Sequence, residues 1–259
     1  LRAIAIGTLS KSSANYATSL GSSAEATAER AIAVGYKSKA EAERAISVGN
    51  LANASKNDSI AVGNNSAASG LNASAVGKNS KASGQSAAAF GDTAQATNTN
   101  ATAVGNDTKA KKQYDNAFGY KSTAKGGAST ALGYYATSSG NNSVALGSQV
   151  NTTGIAATGI GYTVTSSGNR SVALGASITS NGDYATGIGY SVNSNGEGAI
   201  AIGAGTDTLG AIPAKQVEAT MKNAIAIGRA TSATGESATA IGTEATASTS
   251  DAIAVGRKS

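Results

Sequence analysis

The side chains of this sequence that could do chemistry are carboxylates, lysines and tyrosines. Its 259 residues include no cysteine, histidine or tryptophan. Thiol nucleophiles, disulfides, zinc fingers, imidazole bases and histidine metal ligands are therefore excluded. An enzyme would have to rest on carboxylates, with one acid held neutral beside an ionised one. The nearest pairs are Glu41 with Glu43 and Glu25 with Glu29. Both lie in variable polar stretches, with no sign of a concave pocket to separate their pKa values. Asp58, Asp92 and Asp107 lack the Gly-Gly-x-Gly-x-Asp repeat of calcium-binding β-rolls. No catalytic residue, metal site or cofactor is expected.

The lysines are unevenly placed. Residues 1–126 hold 14 Lys or Arg against 8 Asp or Glu, residues 127–203 one against two, and residues 204–259 five of each. The densest cluster is Lys109, Lys111, Lys112, Lys121 and Lys125. It is a candidate contact for acidic matrix components or anionic surfaces, with ordinary solvated lysine as the plainer reading. Nucleic acid is not an expected partner, because its footprint is denser and usually carries stacking or fold motifs. Of the nine tyrosines, Tyr36, Tyr120, Tyr134, Tyr162 and Tyr190 follow a recurring glycine, and Tyr16, Tyr114 and Tyr184 precede one by five. Such fixed stations suit stacking at subunit edges, or an exposed adhesive strip.

Those stations belong to a repeat that spans the chain. A large apolar residue followed by glycine recurs every 14 residues from Gly7 to Gly203, then after a gap of 25 at Gly228, Gly242 and Gly256, making 18 anchors. Fifteen repeats carry Ile, Val or Thr three before the anchor, and the position between this residue and the large one is 14 times Ala, twice Ser and twice Gly. Alternation of this kind is that of a strand, and β-branching favours it. Modest side chains three and five after the anchor predict a second short strand, and ten repeats have a further glycine seven after it, from Gly70 to Gly235. Two strands and two turns per 14 residues predict one coil of a β-solenoid. Coils stacked roughly 4.8 Å apart would give a rod on the order of 85 Å long. No stretch approaches the 18 or more apolar residues of a membrane span, and no flat Thr ladder of an ice-binding solenoid is evident.

Leu, Ile, Val and Phe make up only 39 residues, or 15 %. If the large and β-branched residues point inward, each coil encloses a thin core whose burial hardly offsets the ordering of its backbone. The small middle residues, Ala33, Ala61, Ala103, Ala145, Ala173, Ala201, Ala226 and Ala254 among them, would then form an outward face kept small for close packing. Another copy of the chain is the expected partner, with a water-facing Ala ladder as the alternative.

The repeats resemble the YadA-like head of trimeric autotransporter adhesins, whose unit reads Asn-Ser-Val-Ala-Ile-Gly. Here the motif stands as Asn142-Ser143-Val144-Ala145-Leu146-Gly147, Arg170-Ser171-Val172-Ala173-Leu174-Gly175 and Asn223-Ala224-Ile225-Ala226-Ile227-Gly228. The resemblance implies an all-β, left-handed parallel β-roll, assembled side by side as a homotrimer with the small-residue strand at the threefold axis. It implies adhesion to host extracellular-matrix proteins, cell-surface receptors or abiotic surfaces. It also implies a bacterial cell-surface location, anchored in the outer membrane by a C-terminal region. No heptad stalk, neck or anchor is recognised, so this chain is expected to be a head fragment without membrane contact of its own. A structural spacer that binds nothing is the alternative function.

Three segments are expected: regular coils over 1–210, an inserted loop or short helical arm at 211–221 with the chain's only Pro and Met, and further coils over 222–259. Ile212, Val217 and Met221 could be buried by such an arm against its own or a neighbouring subunit. Asp115 and Asn116 depart from the pattern and predict a local irregularity.

Overall fold

The computed structural model describes residues 2–206 and 215–259, and every regular element among them is a β-strand. Two units, Leu1–Ala128 and Ser129–Ser259, are built on the same plan. Each coil has a first strand, such as Ile60–Val62, and a second, such as Ala67–Ala68. Every strand pairs in parallel with its equivalent one repeat on: Ser74 with Ala88, Ala75 with Ala89 and Val76 with Phe90 in the first unit, Val144 with Thr158 in the second. In the second unit the corner after the anchor joins the ladder, and Thr158–Ser166, Val172–Ser180 and Thr186–Ser194 run through both strands. The chain is an all-β parallel β-solenoid of 14-residue repeats.

Which face points inward is opposite to the expectation. The small middle residues, including Ala33, Ala61, Ala103, Ala145, Ala173, Ala201 and Ala226, are fully buried within their own coils. Ala254, at the last coil, is buried to all but 9 %. They line the interior of the solenoid and do not form the outward face expected for packing against another copy. The large residues point outward: Leu20, Phe90, Leu132 and Ile241 are each about 40 % exposed, at 45 %, 40 %, 43 % and 39 %. The reason lies in the turns. Four-residue turns hold their ends within about 7 Å, closer than the roughly 10 Å between sheets that enclose large side chains. Between strands tied so closely at both ends, most inward positions hold Ala, Ser or Gly.

Four stations face inward in each coil: four and two before the anchor, and three and five after it. In the coils around Gly21 and Gly35 these include Ala17, Ser19, Ala24, Ala26, Ala31 and Ala33. Several buried hydroxyls are satisfied by the turns they close. Ser66 and Ser80 Oγ donate to the anchor carbonyls of Gly63 and Gly77 at 3.0 and 2.9 Å, and Ser143 and Ser171 Oγ donate to the opposite corner at Gly140 and Gly168, both at 2.7 Å. Asp115 takes that second role with a carboxylate. Buried in its coil, it accepts from the Lys112 N–H at 2.8 Å and the Gly127 N–H at 2.9 Å. The strand Asn116–Phe118 keeps its register with Thr102–Val104, so the expected irregularity is not in the strand; the anchor Gly119 that follows has the lowest φ of the series, 112°.

Larger residues enter the core at some stations, and in one run of coils glycine makes room for them. Val150, Val164, Ile178 and Val192 are buried three after successive anchors. Facing them is glycine in alternate coils. A Cβ on Gly159 would come within 3.0 Å of Val150 Cγ1, and one on Gly187 within 3.0 Å of Ile178 Cγ2.

The insertion also sits differently. Val217–Ala219 is a second strand of the solenoid, paired with Val192, Asn193 and Ser194 on one side and, through Glu218 and Ala219, with Ser232 and Ala233 on the other. The inserted loop or short helical arm expected at 211–221 therefore does not extend over 217–219. The 11 extra residues are inserted before this strand, because Gly205 is still in register through its N–H bond to the Tyr190 carbonyl. At the base of the insertion the Thr206 N–H donates to Lys215 O at 2.7 Å, and the Lys215 N–H to Thr206 Oγ1 at 2.9 Å. Val217 is buried and Met221 is 47 % exposed. Ile212 and Pro213 lie outside the described residues.

Candidate functional site

The outward faces of the two strands differ in chemistry. On the first strand, the residues three and one before each anchor form paired ladders. In the first unit these include Ile32 with Val34, Ile46 with Val48 and Ile60 with Val62, joined rung to rung by the strand pairing. In the second unit Val172 with Leu174 and Ile200 with Ile202 continue the type. Where the first position is small or polar the second is bulky, as in Ala88 with Phe90 and Asn116 with Phe118. The result in each unit is an apolar strip, partly exposed along its length. Contiguous apolar surface larger than a few hundred Å² marks an interaction face.

The second strand faces outward with polar side chains four and six after the anchor. In the first unit these are charged rungs: Lys39 Nζ lies 3.7 Å from Glu25 and 4.0 Å from Glu41. Glu43 and Glu29 are likewise engaged by Arg44 and Arg30. The carboxylate pairs singled out from the sequence thus lie in surface ion pairs. Among the described residues no group of three or more acidic side chains comes together to hold a metal.

The lysine cluster is divided by the coil. Lys111 and Lys125 are exposed at equivalent stations of adjacent coils, linked by the bond from the Lys111 N–H to Ala124 O at 3.0 Å. Lys112 is exposed at the turn, and Lys109 is tied to Asp107 at 2.8 Å. Lys121 stands at the opposite corner, its ammonium 5.3 Å from the centre of the Tyr120 ring. Lys109, Lys111 and Lys125 lie along the second strands, with Lys112 at the turn that follows and Lys121 at the corner that precedes.

Corners are the second feature, and their backbone was not legible in residue types. The residue two after the anchor and the one five before it hold positive φ in coil after coil, whatever their side chain: Leu9, Lys37, Asn65 and Tyr135 at the first corner, Tyr16, Arg44, Asp58 and Arg170 at the second, all between 53° and 60° except Lys37 at 52°. Their N–H groups bond to the preceding coil, as from Ser23 to Thr8 O at 2.8 Å and Arg30 to Asn15 O at 3.0 Å. This pairing holds a conformation that costs L-residues about 1–2 kcal/mol. Arg44 spans two such corners, donating to both carboxylate oxygens of Asp58 at 2.5 and 2.8 Å. That bond holds the Asp58 carboxyl below its ordinary range and the Arg44 guanidinium above its own. Tyr184 hydroxyl is 2.7 Å from Arg170 at the same corner of the second unit. The corner tyrosines Tyr36, Tyr162 and Tyr190 are 47 %, 57 % and 39 % exposed.

A parallel solenoid with one apolar strip, one polar strip and side chains displayed at rigid corners defines a repeat protein made for contact along its faces. Models of the YadA head domain repeat match residues 1–24, 26–52, 54–80, 82–108, 116–136, 124–149, 180–206, 219–245 and 233–259. Matched over more than half its length, the chain belongs to the YadA head domain repeat family. This is an adhesin fold and not an enzyme family, which implies a surface-exposed, adhesin-like role. No curated protein matches the chain in a sequence comparison. No helix among the described residues is long and apolar enough to cross a membrane.

Proposed function

We propose that the chain is the adhesive head of a trimeric surface fibre, with three copies closed on their apolar first strands and their polar strands and corners turned to the target. The observation that carries this is the asymmetry of the coil. One outward face is a ladder of Ile, Val, Leu and Phe that a single chain leaves partly exposed, and the other is polar at every station but Ala67 among the described residues. Closed symmetry satisfies such a face on every copy at once. The targets are host extracellular-matrix proteins, cell-surface receptors or abiotic surfaces. Three copies per fibre and many fibres per cell turn weak contacts into avidity. The bacterial cell surface, with an outer-membrane anchor supplied elsewhere, is the location this role requires.

Adhesion is tested by retention of the purified protein on matrix-coated, receptor-coated and bare surfaces. Retention on at least one is expected. Retention on none, with cell adhesion undiminished when the head is replaced by an inert rod, would make it a spacer. Reversing charge at Lys109, Lys111 and Lys112 is expected to weaken retention on anionic surfaces, and more so at low salt. Unchanged retention would remove the lysines from the contact.

A further inference from the structure

We propose that the cleft beside Tyr134 and Tyr135 binds a neutral oligosaccharide, an assignment that rests on the adhesive reading and names a ligand class for the second unit. The cleft has a volume of about 480 Å³ and is lined by Tyr134, Tyr135, Thr137, Gln149, Val150 and Asn151. The two rings meet edge to face with centroids 4.6 Å apart and planes at 76°, and are 50 % and 41 % exposed. An aromatic corner of this kind offers an electron-rich face to the weakly positive C–H face of a pyranose. The other polar lining groups are a hydroxyl and two amides, which both donate and accept, as sugar hydroxyls do.

The walls are set before any ligand arrives. Tyr135 and Gln149 occupy successive first corners at φ 53° and 56°, and the Gln149 N–H donates to Tyr134 O at 2.8 Å. Thr137 and Asn151 are neighbouring rungs of one ladder. The backbone beneath these side chains is already placed, so only the side chains need ordering on binding. The ladder goes on from Asn151 through Thr165 and Thr179 to Asn193 in unbroken register. A chain of sugars lying across these rungs meets a neutral hydrogen-bonding group about every 4.8 Å.

Charge separates this cleft from its counterpart in the first unit. The equivalent groove there is lined by Glu25, Lys37 and Lys39. Residues 127–203 contain only Arg170, Asp183 and Glu197 as charged side chains. An anionic polysaccharide or a charged peptide finds no counter-charge at the Tyr134–Asn151 cleft, whereas a neutral glycan needs none.

The experiment titrates the purified protein with neutral gluco-, manno- and galacto-hexasaccharides, and with hexagalacturonate as the charged control. Binding is read by calorimetry and by tyrosine emission, which no tryptophan obscures. Saturable binding of at least one neutral hexasaccharide is expected. Tyr135→Ala should lower its affinity by more than about tenfold, while Tyr135→Phe stays within about threefold. Gln149→Ala and Asn151→Ala carry the same expectation of weakening and stand in for Tyr135→Ala should that variant not fold. Absence of binding to every neutral hexasaccharide, preference for hexagalacturonate, or wild-type affinity in the variants overturns the proposal. Retention on protein-coated surfaces is measured alongside. A head that is retained there but binds no sugar loses the glycan site and keeps its adhesive role, and one that does neither loses both.

Discussion

At the scale of the residue, the repeat is governed by what cannot have a side chain. All 18 anchor glycines hold φ between 112° and 147°, a region in which L-residues are strained. A Cβ on Gly21 would stand 2.6 Å from the carbonyl oxygen of Gly35 in the next coil, so strain and collision act together. Gly21→Ala is expected to destabilise by about 2–4 kcal/mol, read as a lowered midpoint of thermal unfolding by circular dichroism. An unchanged midpoint would contradict the close approach of the coils. Core volume is conserved in the same local way. Ile178→Ala should cost about 2–4 kcal/mol through the cavity it leaves, and Gly187→Ala about 1–3 kcal/mol through overpacking. Because the two sites touch, the double variant is expected to lose less than the sum. Strict additivity would show that their sizes are not coupled.

At the scale of the element, much was legible from alternation. The 14-residue period, two strands per coil, parallel stacking and the shared face of the residues three and one before each anchor are all present in the structure. What alternation could not supply is which face is inside. A period of two separates Ile32 and Val34 from Ala33 without saying which set meets the second strand. Hydrophobicity alone argued for the larger pair. The span of the turn decides otherwise, and turn span is a backbone property written in residues such as Leu9 and Arg44, whose types give no hint of positive φ. The insertion was misplaced for a related reason. Counting seven on from Gly203 predicts the corner at Gly210, but Met221 occupies that station, against Gly196. Pairing and not composition holds the register. Corner ion pairs predict the response to acid. Asp58 has its carboxyl lowered by Arg44, so its contribution is present above the ordinary carboxylate pKa of about 4 and is lost as pH falls through the lower folded value. With no histidine in the chain, the unfolding midpoint should stay level between about pH 5 and 8 and fall below about pH 4. Asp58→Asn is expected to blunt part of that acid loss at low salt, and less so at high salt because the pair is exposed. A midpoint that moved between pH 5 and 8 would point to a titrating group other than these.

At the scale of the whole molecule, the inverted faces lead to opposite outcomes for adjacent substitutions. Ala75 is fully buried and Val76 is partly exposed on the apolar strip. Ala75→Lys places an unpaired ammonium between the strands and is expected to unfold its coil. Val76→Lys should leave the β-sheet circular dichroism intact and shift the mass in solution from trimer toward monomer. A trimeric Val76→Lys protein would argue against closure on the first strands. Coils that contact only their neighbours add stability as nearest-neighbour increments, which gives the unbroken register a further meaning. Between Gly203 and Gly228 the chain takes 25 residues instead of 14, and the rungs on either side still align, Ile200 with Ile225 and Gly203 with Gly228. A gene of this kind can be lengthened or shortened in whole units by slippage or unequal crossing-over, and each product folds as its parent did. Duplicating one 14-residue unit moves everything beyond it by one strand spacing, about 4.8 Å, while a single-codon slip exchanges inside for outside. The reading frame of the fold is thus a ruler on which reach is selected in fixed steps.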